Sequence, residues 1–511
     1  MKKLITSLFA LAVMTTASAQ MSSTAQARVY AYDLKQTGED VQTVTFKTNT
    51  KANTAVVTLS AEGQEDIMFN ATSTDGKNWS VEITPSKAFG ADVEYNWSVE
   101  VSADAVTEFK EIADKTKDVF TFNRSHCIAV DNSPESNNFG RVYVVNQKAG
   151  GANSSYAAKP RQTELGFYTF TPELLPENNA KNYQCDVIGR GETSTGYSPN
   201  DMAIMADGKI LLSDVSDNYG GLYVVDPYNN FISEDTNIDS KIAGIGTTGE
   251  GEDELVYAID WTNSGAVNCY SVNEWTSPMS TFVNFPTIAN NIEYNVAISN
   301  VYNSIEPVTG GFWVCQYNGS TSSASKLKNS ALFYCNSEGE LKWAIEKNSL
   351  NSKWSVFSRN GALAVNEGLG LVAFTLVENS KVNAYVFKYT IKTNGNVGTE
   401  FVGAYEMTTQ GNRSNALDFD YAGNLYAVTS GTECMSVYAI PTDNNTCTTP
   451  AKKSLTIAYS KELIDIVTGI VSIELENAPV EYYNLQGVKV ENPENGIFIK
   501  KQGRKTTKVI L

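Results

Sequence analysis

Between residues 123 and 450, two short apolar runs separated by a turn recur six times. They are 128–130 with 141–145, 202–204 with 209–212, 242–245 with 254–259, 305–308 with 311–315, 363–365 with 370–374, and 417–419 with 424–428. The second runs start 68, 45, 57, 59 and 54 residues apart. Self-similarity at steps of about 40–50 residues or more marks a β-propeller, each repeat a four-stranded blade. Further apolar runs at 164–170, 221–225, 267–272, 330–335, 383–389 and 435–440 supply outer strands. The pattern predicts six blades over 123–449, and the long first step leaves room for a seventh.

The flanks alternate with a period of two. Runs at 41–47, 54–60, 65–71, 78–83 and 95–101, separated by Asn, Pro and Asp-Gly turns, predict an immunoglobulin-like β-sandwich over 28–120. Asp75-Gly76 reads as a hairpin turn carrying a core residue, Trp79. It is only superficially like the Asp-box of sialidases, since it lacks a residue between Asp and Gly. Residues 442–453, rich in Asn, Thr, Pro and Lys, read as a linker. Beyond it, 454–511 predicts a short β-sandwich tail, so the expected fold is all-β throughout.

Composition narrows the setting. Lys2-Lys3, an apolar run over 4–13 and Ala17-Ser18-Ala19 form the three regions of a secretory signal over 1–19. No run approaches the length of a membrane span. A net charge of −18 argues against nucleic acid, which requires clustered cations. The tail breaks that trend: from 479 to 511, six basic residues stand against three Glu. Seven cysteines follow the signal, an odd count that leaves at least one thiol free. Cys434 with Cys447, and Cys315 with Cys335, are the candidate disulfides.

Tyr482-Tyr483-Asn484-Leu485-Gln486-Gly487, then Gly496-Ile497-Phe498, then Lys508-Val509 near the end resemble the C-terminal sorting domains of type IX secretion cargo. Phe498 stands where those domains usually carry Tyr. The resemblance covers about the last 35 residues. It implies contact with that secretion machinery, and a protein secreted or held at the outer-membrane surface. A periplasmic location follows if the tail is not a working signal.

Candidate chemistry is sparse. His126 is the single histidine, so zinc hydrolase sites with several His ligands are excluded and a serine triad would rest on one residue. Aligned blades place Arg124, Arg359 and Arg413 four residues before the first core residue of an inner strand, so all three should approach one mouth of a central channel. Together with His126 they are the predicted ligand-binding residues, suited to a carboxylate or sulfate. The competing role for these arginines is bracing blades against Asp131, Asp201 or Asp418. Tyr197, Trp261, Trp275, Tyr317 and Trp354 are aromatic candidates for stacking on sugars, or for the core. Glu252-Asp253-Glu254 and the run 131–135 are acidic enough to ligate calcium, the one cofactor considered, yet neither has EF-hand spacing. The favoured reading is a non-catalytic surface protein that binds a glycan or another protein. The alternative is a propeller enzyme, a glycan hydrolase or lyase or a lactonase, using channel carboxylates and His126.

Overall fold

The computed structural model describes residues 26–38, 41–83, 93–113, 122, 125, 127–147, 164–190, 198–262, 266–275, 277–282, 303–316, 332–345, 362–378, 381–407, 414–429, 434–456, 479–502 and 505–511. They form antiparallel sheets, and no helix among them is long and apolar enough to cross a membrane.

The N-terminal strands are β1 (Ala31–Thr37), β2 (Gln42–Thr48), β3 (Thr54–Ser60), β4 (Ile67–Asn70), β5 (Asn78–Ile83) and β6 (Glu94–Ser102). Alternate residues point inward, so Val44, Phe46 and Trp79 of one sheet meet Val57, Leu59, Val99 and Val101 of the other. The Asp75-Gly76 turn is present, with Gly76 at φ 74°. Past the Thr72–Ser80 bridge, however, β4 and β5 part into different sheets. Asp75 accepts bonds from the backbone N–H groups of Lys77 and Asn78, both at 2.8 Å. Although burial works against it, this bonding holds the carboxyl well below the usual range.

A two-residue strand, β7 (Lys110–Glu111), follows, and then the repeats. Blade one is β8 (Ile128–Val130), β9 (Val142–Asn146) and β10 (Gly166–Phe170), extended by a bridge from Phe167 to Tyr183. Blade two is β11 (Asp201–Ile204), β12 (Ile210–Asp214), β13 (Gly221–Asp226) and β14 (Ile232–Asp235). Blade three is β15 (Ile242–Thr248), β16 (Leu255–Asp260), β17 (Ala266–Ser271) and β18 (Ser280–Phe282). Blade four is β19 (Asn303–Val308), β20 (Gly311–Gln316), β21 (Leu332–Asn336) and β22 (Leu341–Ala344). Blade five is β23 (Leu363–Asn366), β24 (Leu371–Glu378), β25 (Lys381–Ile391) and β26 (Val397–Glu406). Blade six is β27 (Ser414–Phe419), β28 (Leu425–Thr429) and β29 (Cys434–Ala439), with β7 as its outer strand. The second strands start within one residue of the expected positions. Six blades are present among the described residues.

Six apolar clusters weld the blades into a closed ring. Tyr143 and Val145 of blade one meet Ile210 and Leu212 of blade two, and each later seam repeats the arrangement. The sixth seam joins Tyr426 and Val428 of blade six to Val130 and Val142 of blade one. Each blade is therefore covered on both faces. That explains why its middle strands read as continuous apolar runs rather than alternating ones, β9 being buried at all five positions. Burying a large apolar side chain in such a seam contributes about 1.5–3 kcal/mol.

Two boundaries differ from expectation. Because β7 pairs with Tyr438 and Ala439, the propeller takes its closing strand from residues 110–111, before position 123. The stretch expected to be a linker instead returns to the sandwich. There β30 (Thr446–Pro450) and β31 (Leu455–Thr456) pair along β6. Local composition misled here, because β6 offers an edge that Thr, Cys and Pro can pair with at little cost.

The junction is held by buried polar side chains. Arg28 donates through Nε to the carbonyl of Ile440 at 2.8 Å and through Nη2 to that of Pro441 at 2.7 Å. Asn424 accepts from the N–H of Arg28 at 2.8 Å and donates to its carbonyl at 2.9 Å. Asn445 and Asn49 serve the N–H groups of Val29 and Tyr30 in the same way, at 2.8 and 2.9 Å. Three asparagines thus stand in for a missing neighbouring strand.

Neither candidate disulfide forms. Cys315, Cys335 and Cys447 are free thiols. Cys315 lies opposite Leu332 and Cys335 opposite Phe312, an odd offset that points them to opposite faces of blade four. Cys315 packs towards blade five and Cys335 towards blade three. Cys447 belongs to the sandwich strand β30, whereas Cys434 begins β29 of the last blade.

The tail is one four-stranded sheet in the order β33-β32-β34-β35, formed by β32 (Val480–Tyr483), β33 (Lys489–Val490), β34 (Ile497–Gln502) and β35 (Lys505–Ile510). This sheet is one layer of the expected tail; residues 457–478 of the same span lie outside the described residues. The Leu485-Gln486-Gly487 segment forms its first turn, with Gly487 at φ 82°.

Candidate functional site: the central channel

The inner strands β8, β11, β15, β19, β23 and β27 surround a cavity of about 330 Å³. The blade-one residues 132–134, Met205-Ala206 of blade two and Gly249-Glu250 of blade three lie together at one end of it. That end is therefore the mouth formed by the hairpin turns. A cavity of this size falls in the range of small-ligand sites.

Three carboxyl groups from alternate blades enter this channel: Asp201, Glu306 and Asp418. Asp201 accepts from the N–H of Ile245 in the next blade at 3.1 Å and from that of Met202 at 2.9 Å. Asp418 does the same across the ring's closing seam, accepting from Val130 and Phe419, both at 2.7 Å. These two carboxylates latch inner strands that have no ladder between them. Glu306 has no hydrogen bond among the described residues. All three retain some exposure to the channel but are enclosed by its walls. Burial pushes Asp201 and Asp418 up to about 7, partly offset by their backbone bonds. Burial, reinforced by Asp418 and Asp201, raises Glu306 well above the ordinary range.

At the mouth, Glu254 accepts from the N–H of Ala206 at 2.7 Å, and burial raises it to about 7. Asp131 turns inward to Ser136 and accepts from the N–H of Ser133 at 3.1 Å. The acids considered for calcium are thus partly spent on structure. Among the described residues, no group of three or more His, Cys, Asp or Glu is arranged to hold a metal ion.

Arg124, His126, Arg359 and Arg413 lie outside the described residues, as do Tyr197, Tyr317 and Trp354. Trp261 and Trp275 are half-buried against blade cores, with Lys241 over the Trp261 ring at 6.0 Å. Among the described residues, Asp131, Asp201 and Asp418 accept hydrogen bonds from backbone N–H groups and a serine hydroxyl. Sequence reasoning did not single out Glu306. Its signal was available: a lone acid inside the run 305–308, which is otherwise apolar.

No protein-family model matches the chain, and no curated protein matches it. Among solved structures, the chain is similar to a Bacteroides thetaiotaomicron protein of unknown function, at 10% identity and TM-score 0.36, covering 81% of this chain and 98% of that one. It is also similar to the PQQ-bound aldose sugar dehydrogenase of Streptomyces coelicolor, at 14% identity and TM-score 0.32, covering 51% and 80%. The Dos1 propeller matches at 10% identity and TM-score 0.31, covering 80% and 95%. These likenesses concern the fold and say nothing of the channel's chemistry.

Proposed function

We propose that this is a non-catalytic, extracellular binding protein whose propeller channel receives part of a glycan or protein ligand. The observation that carries the reading is how the channel acids are used. Asp201 and Asp418 have oxygens committed to backbone N–H groups, and of the three carboxyls inside the channel only Glu306 has no such side-chain bond among the described residues. A channel whose acids serve as latches suits recognition by hydrogen bonding better than turnover. Arg124, Arg359 and Arg413, each shortly before an inner strand, would supply charge at the opposite mouth. The signal-like first 19 residues and the basic tail support export, with the tail as the address read by the secretion machinery.

Glycan arrays and pull-downs with the purified protein test this. The R124A/R359A/R413A and E306A variants should lose binding while keeping the wild-type melting temperature. Unchanged binding in both would sink the channel as the site. A second reading, a glycan hydrolase or lyase, is favoured by one fact: the three channel carboxyls interact, and two sit near 7, where a general acid works. Turnover abolished by E306Q would decide for it.

A further inference from the structure

A second cavity, also about 330 Å³, lies in the cleft between the sandwich and the propeller, and it shares Pro134 with the channel. We propose that this cleft is an oxyanion-binding subsite, distinct from the channel, that takes the carboxylate or sulfate group of a ligand. Lys35 of β1, and Lys452 and Lys453 between β30 and β31, converge on it. No ion pair engages any of these three among the described residues. Lys452 instead donates to the neutral Oδ1 of Asn137 at 3.1 Å. The one acid in the lining, Asp33, is already matched by Lys47 at 3.2 Å and Arg141 at 3.7 Å. In a chain of net charge −18, three lysines lining one cavity without an ion pair among the described residues make it locally cationic.

An independent observation points the same way. Trp97 lines the cleft at 5% exposure, and its indole N–H has no acceptor. The Gln36 side-chain oxygen, in the same lining, has no donor. Buried polar groups are rarely left unpaired. With a side-chain shift that uncovers these two enclosed atoms, an oxyanion with a neighbouring hydroxyl meets both needs, its oxygen accepting from the indole and its hydroxyl donating to Gln36. Lysine serves such a site as a mobile point charge. The cleft exists only because β30 and β31 return to the sandwich and carry Lys452 and Lys453 back over the propeller face.

Calorimetric titration of the full chain with inorganic sulfate, an oligogalacturonate, a sulfated oligosaccharide and a neutral oligosaccharide of equal length tests the proposal. The anionic sugars should bind, more weakly as salt rises, and the neutral one should not. The tighter of the two anionic sugars identifies the group as carboxylate or sulfate. K35Q/K452Q/K453Q should weaken anion binding at least tenfold at wild-type melting temperature, and W97F, which also trims the sandwich core, by a few-fold. R124A/R359A/R413A and E306A, which remove the channel's own binding, should leave a second anion-binding step in place, and K35Q/K452Q/K453Q should remove that step. The proposal is overturned if no anion binds, if inorganic sulfate binds as tightly as either sugar, if the triple-Gln variant binds as well as the parent, or if the arginine variant alone abolishes binding.

Discussion

The sandwich–propeller body and the C-terminal tail are both antiparallel β, but among the described residues only the body has an inside. In the body, residues some 400 positions apart share buried hydrogen bonds, as Arg28 does with Asn424 and Ile440. In the tail every pairing is local, no described residue is buried, and Leu485, Val488, Ile497, Ile510 and Leu511 stand exposed. Strand pairing alone is therefore compatible with very different stabilities. What separates the two regions is whether a second layer covers the sheet and whether interior polar groups find partners.

The comparison breaks most readily at the junction. Asn424→Ala removes the acceptor of the Arg28 N–H, one of the two donors to the Arg28 carbonyl (Asn49 is the other) and one bond to Asp420. It should cost about 3 kcal/mol or more, read as a drop in denaturation midpoint at constant slope. A loss below about 1 kcal/mol would show that water replaces the amide and that the junction is not stapled as described.

A pH scan sharpens the contrast next. Burial raises Asp131, Asp201, Asp418, Asp420 and Glu254 to about 7 in the folded body. Between the unfolded carboxyl range near 4 and that value, the folded state binds more protons than the unfolded one. Stability should therefore rise as pH falls from 8 to 5, by about 5 °C or more in melting temperature. Below about 4 the trend should reverse, as carboxylates held low, such as Asp75, become protonated. A flat profile from 8 to 5 would mean that these groups are already solvated.

Glu306→Gln is a smaller effect of opposite sign. Neutralising an enclosed, unbonded carboxyl should stabilise the fold by about 1 kcal/mol at pH 8 and by less at pH 5, while weakening ligand binding. Asp418→Asn, which disturbs the latch to Val130, should not share that gain. The smallest change belongs to the tail. Removing 479–511 should destabilise the body by about 0.5 kcal/mol or less, because among the described residues these strands pair only with one another. A larger loss would reveal packing of the tail on the body.

Much of the propeller was legible from the chain. The turn-separated apolar pairs located all six second strands, because a blade's inner hairpin is a local object with glycine turns at fixed places. The channel was less so: Asp418 was visible only as a partner for arginine, and Glu306 looked like one acid in a strand. Both disulfide candidates failed for a geometric reason: Cys315 and Cys335 occupy opposite faces of one blade, and Cys447 lies on a sandwich strand while Cys434 begins a blade strand.

Alternation, turn residues and repeat length were sufficient to determine that this chain makes a sandwich followed by blades, because strand direction and burial on one or two faces leave their period in the residues themselves. Which distant strand completes which sheet was decided only in three dimensions. The closure of blade six by β7, the return of β30 to β6 and the meeting of Asp201, Glu306 and Asp418 all depend on ring closure. Pairing across hundreds of residues depends on edges and faces that come together in space, and such matches leave no periodic trace along the chain.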